Sequence, residues 1–460
     1  MTIDGLRAAT DKMREAGVPE LAVSVFSRFH EQLRSDATGT IPEDTIDPLT
    51  DVPHLDDVRP DEAAVAEALG QTVVIKLNGG LGTSMGISGP KSALRVRGDL
   101  SFLDIIARQV LALRRRHGVQ TPLLLMDSFR TREESLAILE QHPGLAVDGL
   151  PLDFLQNKEP KLRADDLAPV EWPQDPSLEW CPPGHGDIYV ALQTTGLLDA
   201  LRERGYQYAF LSNADNLGAT CEGAVPAWMA REGIPYVAEV SARTRNDRKG
   251  GHLGVRKSDG RLVLRDSAMV AEGEDHFFQD TERHPWFHTN NLWVDLDSLA
   301  ARLAESDGVL GLPIIVNRKT VDPTRPDSPA VIQIESAMGA AVELFDGSRA
   351  LAVDRSRFRP VKTTNELLLI RSDLYRLDDD SVVQSTIDHD EPFVDLAKPY
   401  AQVDAFEKRF PCGVPSIRGC SSLRVEGDTT FGADVVCTGD VLVTGDVASI
   451  PDGAHLEGRV

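Results

Sequence analysis

Val73-Val-Ile-Lys-Leu-Asn-Gly-Gly-Leu-Gly-Thr-Ser-Met-Gly-Ile-Ser-Gly-Pro-Lys91-Ser92 begins as an apolar, β-branched run and ends as a glycine-rich loop closed by a lysine. A run of this kind that stops at glycines predicts a buried strand feeding a loop at its carboxyl end. In open α/β sheets that is where ligands bind. Gly79, Gly80, Gly82, Gly86 and Gly89 let the backbone approach a ligand closely, and bare N–H groups suit phosphate oxygens. Lys91 adds a point charge for phosphate.

Three familiar loops fail here. A Walker A loop joins Gly directly to Lys, whereas Pro90 separates Gly89 from Lys91. The dinucleotide fingerprint requires glycine where this chain has Met85. Gly82-Thr-Ser84-Met-Gly86 matches the Gly-x-Ser-x-Gly elbow of hydrolases, but that elbow puts the serine at the strand end with a helix following at once. Ser84 lies well past Leu77, and Gly86, Gly89 and Pro90 would break such a helix.

At 460 residues the chain exceeds one compact core and predicts two or three domains. An apolar content of 41% with 26% charged residues is that of a soluble globular protein. The net charge of −24 disfavours nonspecific binding to nucleic acid or anionic membranes, so a phosphate site must gather cations locally. Cys181, Cys221, Cys412, Cys420 and Cys437 are odd in number and lack Cys-x-x-Cys spacing, which fits a reducing cytoplasm without disulfides or structural zinc. With no signal pattern and no long apolar run, a cytoplasmic protein with no membrane partner is expected.

Four regions follow. Residues 1–70 predict a helical segment, with Leu21–Leu33 on an amphipathic helix, an acidic connector over Ile41–Leu49, and a short helix from Asp61 to Leu69 ending at Gly70. Residues 71–375 alternate strand-like and helix-like runs, the pattern of an α/β sheet. The strands are placed at Val73–Leu77, Pro122–Met126, Tyr208–Ser212, Tyr236–Val240, Asn291–Val294 and Pro313–Val316. Helices are placed at Phe102–Arg116, Glu133–Gln141 and, mostly buried, Val331–Phe345. The polar insertion from Arg243 to about Arg283 has weak periodicity and is expected to be mobile. Residues 376–415 read as a connector. In residues 416–460, Asp428, Asp434, Asp440, Asp446 and Asp452 recur every six residues, with Gly427, Gly439 and Gly445 one place ahead. That hexapeptide period predicts a left-handed parallel β-helix, whose open end could carry a homo-oligomer contact.

Further segments share one likeness. Lys76-Leu-Asn-Gly-Gly-Leu-Gly-Thr-Ser-Met-Gly, Gly89-Pro-Lys-Ser, Leu124-Leu-Met126, Pro182-Pro-Gly-His-Gly-Asp187, Ser212-Asn-Ala-Asp-Asn-Leu-Gly218, Thr289-Asn-Asn-Leu-Trp293 and Arg355-Ser-Arg-Phe-Arg-Pro-Val-Lys362 occur in that order. From about residue 70 onward the chain resembles the UTP–glucose-1-phosphate uridylyltransferases of eukaryotic type. The resemblance implies a Rossmann-like, GT-A-like nucleotidyltransferase core of mixed sheet. It also implies a reversible, Mg²⁺-dependent conversion of UTP and glucose 1-phosphate into UDP-glucose and pyrophosphate. The related N-acetylhexosamine enzymes have a different first loop, so Leu77–Gly82 favours glucose.

In such a reaction a sugar-phosphate oxygen attacks the α-phosphorus of UTP in line, and pyrophosphate leaves. The nucleophile is already anionic, so positioning and cations supply most of the catalysis. The resemblance assigns the catalytic charges to Lys91 and Lys362. It assigns UTP binding to Leu77, Asn78, Gly79, Gly80, Met126, Gln156, Gly184 and Asp215 together with those lysines, and Mg²⁺ to Asp215. Sugar-phosphate contacts fall to Gly79, Gly80, His185, Asn213 and Asn290. A lone carboxylate suits magnesium, which keeps waters and binds largely through substrate oxygens. Where the family usually has asparagine this chain has His288, read as a tolerated substitution. The four-residue spacing from His284 would suit a metal only on a helix, which Pro285 opposes. A broader UDP-sugar pyrophosphorylase and a non-catalytic nucleotide-sugar binder are the alternatives.

Overall fold

Thr72–Asn78 forms a strand buried at every position, because it has parallel partners on both edges, Tyr208–Asn213 and Leu123–Asp127. The computed structural model describes residues 3–35, 39–58, 60–244, 247 and 250–460. The strand sits inside a seven-stranded sheet ordered Arg349–Ala352, Tyr236–Ala242, Trp286–Asp295, Tyr208–Asn213, Thr72–Asn78, Leu123–Asp127 and Asp153–Leu155. Trp286–Asp295 runs antiparallel to both neighbours and the other pairings are parallel, so the sheet is mixed. Side chains alternate across it: Val74 joins the apolar cluster on one face, and Val73, Ile75 and Leu77 the cluster on the other. Phe102–His117 covers the first face with Phe102, Ile105, Ile106 and Val110. It starts at a capping box of Ser101 and Asp104 and stops at Gly118, whose φ is 67°. Ile188–Thr194 and Leu296–Glu305 cover the other face.

Five of the six expected strands lie in this sheet, and two segments depart from expectation. Val331–Phe345 is no helix: Ala330–Ser336 is a strand, followed by a 3-10 stretch at Met338–Glu343. A continuous apolar run cannot be told from a buried helix by periodicity, and here pairing on both edges decides for strand. Its partners are Ile314–Thr320 and Leu162–Arg163, so the expected Pro313–Val316 strand belongs to a separate three-stranded sheet. Helices Ile3–Glu15 and Glu20–Arg34 pack onto that sheet through Phe26, Phe29, Ile314 and Ile334. The short helix expected from Asp61 to Leu69 is Glu62–Gly70, with Asp61 as its cap, and it takes in Gly70 and ends at Gln71.

The insertion after Tyr236–Ala242 carries a hairpin, His252–Arg256 with Leu262–Arg265, and Ile46–Pro48 from the N-terminal segment adds a third strand. Buried Glu43 fastens it, holding Arg265, Arg283 and His284. Residues 245, 246, 248 and 249 of this insertion lie outside the described residues.

The C-terminal region is a stack of parallel strands. Leu423 pairs with Val441 and Val425 with Val443, three hexads on, and Cys437 pairs with Leu456 one residue further still. Phe393–Leu396 pairs in parallel with Ser416–Val425, so the stack begins before the hexapeptide period does. The recurrent aspartates stitch coils together: Ser422 Oγ donates to Asp440 at 2.7 Å, and Ala433 N–H to Asp452 at 2.7 Å. The coil interior is continuous with the first apolar cluster of the central sheet.

Candidate active site

The parallel registers bring Leu77 level with both Met126 and Asn213, so three loops leave the sheet side by side at its carboxyl edge. Between them lies a cleft of about 280 Å³. Leu77, Asn78, Gly79, Gly80, Met126, Gln156 and Gly184 line it together with Lys91, His185, Asn213 and Asp215. These segments, distant in sequence, converge as expected.

Each is held by its own local chemistry. Asn78 donates 2.7 Å bonds to Asp127 and Ser135, and Ser92 Oγ donates to its amide oxygen. Its side chain is thereby consumed, leaving only its backbone to meet a ligand. Burial pushes Asp127 up to about 6, against the bonds from Thr131 and Asn78. Gln156 N–H donates to the Asp127 carbonyl at 2.8 Å, and its side chain packs where any Cβ on Gly79 would sit. Gly184, at φ 82°, has the Ser336 backbone where a Cβ would lie, so only glycine passes there.

His185 Nδ1 accepts the Met338 N–H at 3.0 Å. Burial lowers its pKa, so the ring is neutral near pH 7 and its proton stands on Nε2. That makes His185 a hydrogen-bond donor on the cleft wall. Asp187 nearby accepts two bonds from Asn157, at 2.6 and 2.9 Å, and burial raises it to about 7.

Lys91 and Asp215 meet directly, with Nζ 2.6 Å from Oδ2 and about a fifth of each side chain exposed. Asp215 Oδ1 is buried without a hydrogen-bond partner. Lys362 is exposed and does not line the cleft; Val361 N–H, one residue before it, donates to the Asp215 carbonyl at 3.2 Å. Asn290 also stands off the lining, in the antiparallel strand beside Tyr208–Asn213, with a left-handed φ of 58°. Thr83–Met85 is a single 3-10 turn ending at left-handed Gly86, with no helix following, so the hydrolase elbow is absent. The Ser84 side chain lies outside the described residues.

The arginines that precede Lys362 are held by partners within the protein. Arg355 grips Asp247 with two bonds of 2.8 and 2.9 Å, Arg357 is buried on Glu239, and the Arg359 guanidinium lies 4.3 Å from the Tyr375 ring. His284 bonds Glu43, while buried His288 sits where a Cβ on Gly339 would fall, so the two histidines face different partners.

Sequence reasoning overlooked two buried charges, Lys76 and Glu239. Lys76 Nζ donates to Ser212 Oγ at 2.8 Å and to the Ala219 carbonyl at 2.7 Å, spanning the loop that carries Asp215. Burial drags its pKa down to about 7. The signal was present: each is a charged residue amid an apolar strand, Val-Val-Ile-Lys-Leu and Tyr-Val-Ala-Glu-Val.

The profile of the UTP–glucose-1-phosphate uridylyltransferase family matches residues 23–438. Curated relatives with that name include one from Solanum tuberosum, 39% identical over 90% of this chain and 84% of its own length. Another, from Hordeum vulgare, is 36% identical over 99% and 96%. Among solved structures, a Trypanosoma brucei UDP-glucose phosphorylase is 40% identical, with a TM-score of 0.91 and 99% of both chains covered. A Leishmania major UDP-glucose pyrophosphorylase variant in complex with UDP-glucose is 40% identical, with a TM-score of 0.92 over 100% of this chain and 99% of that one. Likeness in sequence and in backbone runs through every segment that reaches the cleft, which makes this chain a member of the UTP–glucose-1-phosphate uridylyltransferase family.

Proposed function

We propose that this chain transfers the uridylyl group of UTP to glucose 1-phosphate, releasing pyrophosphate, and runs the reverse reaction in the same cleft. The convergence of the Leu77–Gly80 backbone, Lys91, His185 and Asp215 on one cleft carries the reading. The UDP-glucose held by the Leishmania major relative supports it. The backbone at Leu77–Gly80, with Gln156, reads the uracil edge. Lys91 leaves Asp215 for the triphosphate, and Lys362 screens the reacting phosphates. The glucose 1-phosphate oxygen attacks the α-phosphorus as the bond to pyrophosphate breaks, so no general base is required. His185 Nε2–H and Asn290 serve the sugar phosphate.

The residues present fit Mg²⁺. Among the described residues no three His, Cys, Asp or Glu side chains converge on one point, yet a magnesium site needs only one carboxylate when phosphates supply the remaining oxygens. Asp215 offers that carboxylate, with one oxygen buried and unpaired. Bound there with the triphosphate, the ion would neutralise charge on the departing pyrophosphate.

The reading extends to a GT-A-like nucleotidyltransferase core, supported by the antiparallel strand within the otherwise parallel sheet, and to left-handed winding of the C-terminal coils, supported by three hexads per coil. It extends to a cytoplasmic location, supported by free cysteines throughout. It includes self-association through those coils, where Phe393 is exposed; an unchanged mass by light scattering after removal of residues 416–460 would count against that. Among the described residues no helix is long and apolar enough to cross a membrane.

The test is pyrophosphate release from UTP, glucose 1-phosphate and Mg²⁺ by the purified protein. Release that stops with Lys91→Met is expected, and none from the wild type would end the reading. Equal rates with galactose 1-phosphate would move it to a broader UDP-sugar enzyme.

A further inference from the structure

Glu239 is fully buried in the middle of Tyr236–Ala242, and its carboxylate is surrounded by donors. Oε1 accepts Trp293 Nε1–H at 2.9 Å and Arg357 at 2.6 Å; Oε2 accepts Arg357 Nε–H at 2.8 Å and the Asn291 amide at 3.0 Å. Its backbone carbonyl takes the Thr289 hydroxyl at 2.8 Å. The ladder opposite is broken here: Ala238 pairs with Leu292 and Val240 with His288, so Glu239 alone faces the bulged residues between. Left-handed Asn290 is at the centre of that bulge.

The bonds continue outward from Arg357. Its carbonyl accepts the side-chain amides of Asn216, at 3.1 Å, and Asn291, at 3.3 Å. Asn216 Oδ1 in turn accepts the N–H of Arg359 at 2.9 Å and of Gly218 at 3.2 Å. One carboxylate thus ties together the loop bearing Asp215, the bulge bearing Asn290 and the segment running into Lys362. The uridine side of the cleft is fixed independently, through Asn78 and Asp127.

We propose that Glu239 is a positioning residue for the transfer half of the site: it aligns Asp215, Asn290 and Lys362 on the reacting phosphates and leaves the uridine half unaffected. This rests on the uridylyl-transfer reading. A rigid buried acceptor is suited to the task, because groups within hydrogen-bond range hold their alignment only when their supports cannot relax. Glutamine in its place would keep one acceptor oxygen and turn an NH₂ toward donors, undoing half of the set.

The experiment compares wild type, Glu239→Gln and Trp293→Phe in pyrophosphate release, in calorimetric binding of UTP in metal-free buffer, and in melting. Trp293→Phe removes a single donor and keeps an aromatic ring against Phe210, whose centroid is 4.4 Å away, so it tests the idea if Glu239→Gln does not fold. Expected are a kcat loss of about 100-fold for Glu239→Gln and about 10-fold for Trp293→Phe, a raised KM for glucose 1-phosphate, and UTP affinity within about 3-fold of wild type. A loss of UTP affinity in step with kcat would overturn the proposal as a mere folding defect. Unchanged kcat in either folded variant would overturn it as well, while leaving the transfer reading intact. An inactive wild type would overturn both.

Discussion

In the proposed transfer Lys91 and Asp215 are the residues on which the chemistry hinges, and in this structure they neutralise each other. With about a fifth of each side chain open to solvent, the two groups can exchange partners, and the value of the pair lies in that exchange. A bound triphosphate would draw the lysine, and the carboxylate, with Oδ1 already unpaired, would be left for a cation. Asp215→Asn should therefore fold normally and melt within a few degrees of wild type. In metal-free buffer it should bind UTP at least as tightly, since a carboxylate beside a triphosphate is repulsive. Its transfer rate with Mg²⁺ should fall at least about 100-fold, roughly 3 kcal/mol of barrier. Calorimetry and pyrophosphate release read these separately, and weaker metal-free binding would mean that Asp215 acts through structure alone.

At the scale of elements, the bulge in Trp286–Asp295 shows what a sequence hides. Asn290 is left-handed at φ 58°, a conformation costing an L residue about 1–2 kcal/mol, with asparagine among the most tolerant and β-branched residues the least. Asn290→Gly should keep its urea midpoint close to wild type, while Asn290→Val should lose about 2 kcal/mol. Equal midpoints for the two would mean that the backbone there is not left-handed. Thr289-Asn-Asn-Leu-Trp293 gave no sign of this bulge, because a register shift exists only relative to a partner strand. The Ala330–Ser336 strand was misread for the same reason: its edges are satisfied by residues far away in the chain. By contrast, the Thr72–Asn78 strand and its glycine loop were legible, since β-branched burial and glycine termination are local. The meeting of Lys91, His185 and Asp215 at one cleft was legible through the motifs around them, whereas Glu239, although its charge stands out amid an apolar strand, did not reveal its partners, because they come from two segments far away in the chain.

At the scale of the whole molecule, charge and burial pull stability in opposite directions as pH falls. With a net charge of −24 at pH 7 and a pI of about 4.9, acidification relieves self-repulsion and by that account should stabilise the fold. Buried histidines oppose it. Burial lowers His252 to about 2 and His288 to about 4, and lowers His30, His185 and His284 as well. A histidine whose folded pKa is depressed stays neutral in the native state while the unfolded chain takes up a proton below about 6.5. Its contribution is therefore intact above that pH and is lost as pH falls toward the folded value. At pH 5 each of His252 and His288 forfeits about 2 kcal/mol, a large share of the 5–15 kcal/mol typical of whole domains. That loss is set against the screened relief of surface repulsion and against buried Asp127 and Asp187, raised to about 6 and about 7, which take up protons first in the folded state and so stabilise it as pH falls. His288→Asn should accordingly gain on wild type by about 2 kcal/mol in urea unfolding between pH 7 and pH 5. Equal pH slopes for wild type and His288→Asn would mean that this ring is hydrated in solution.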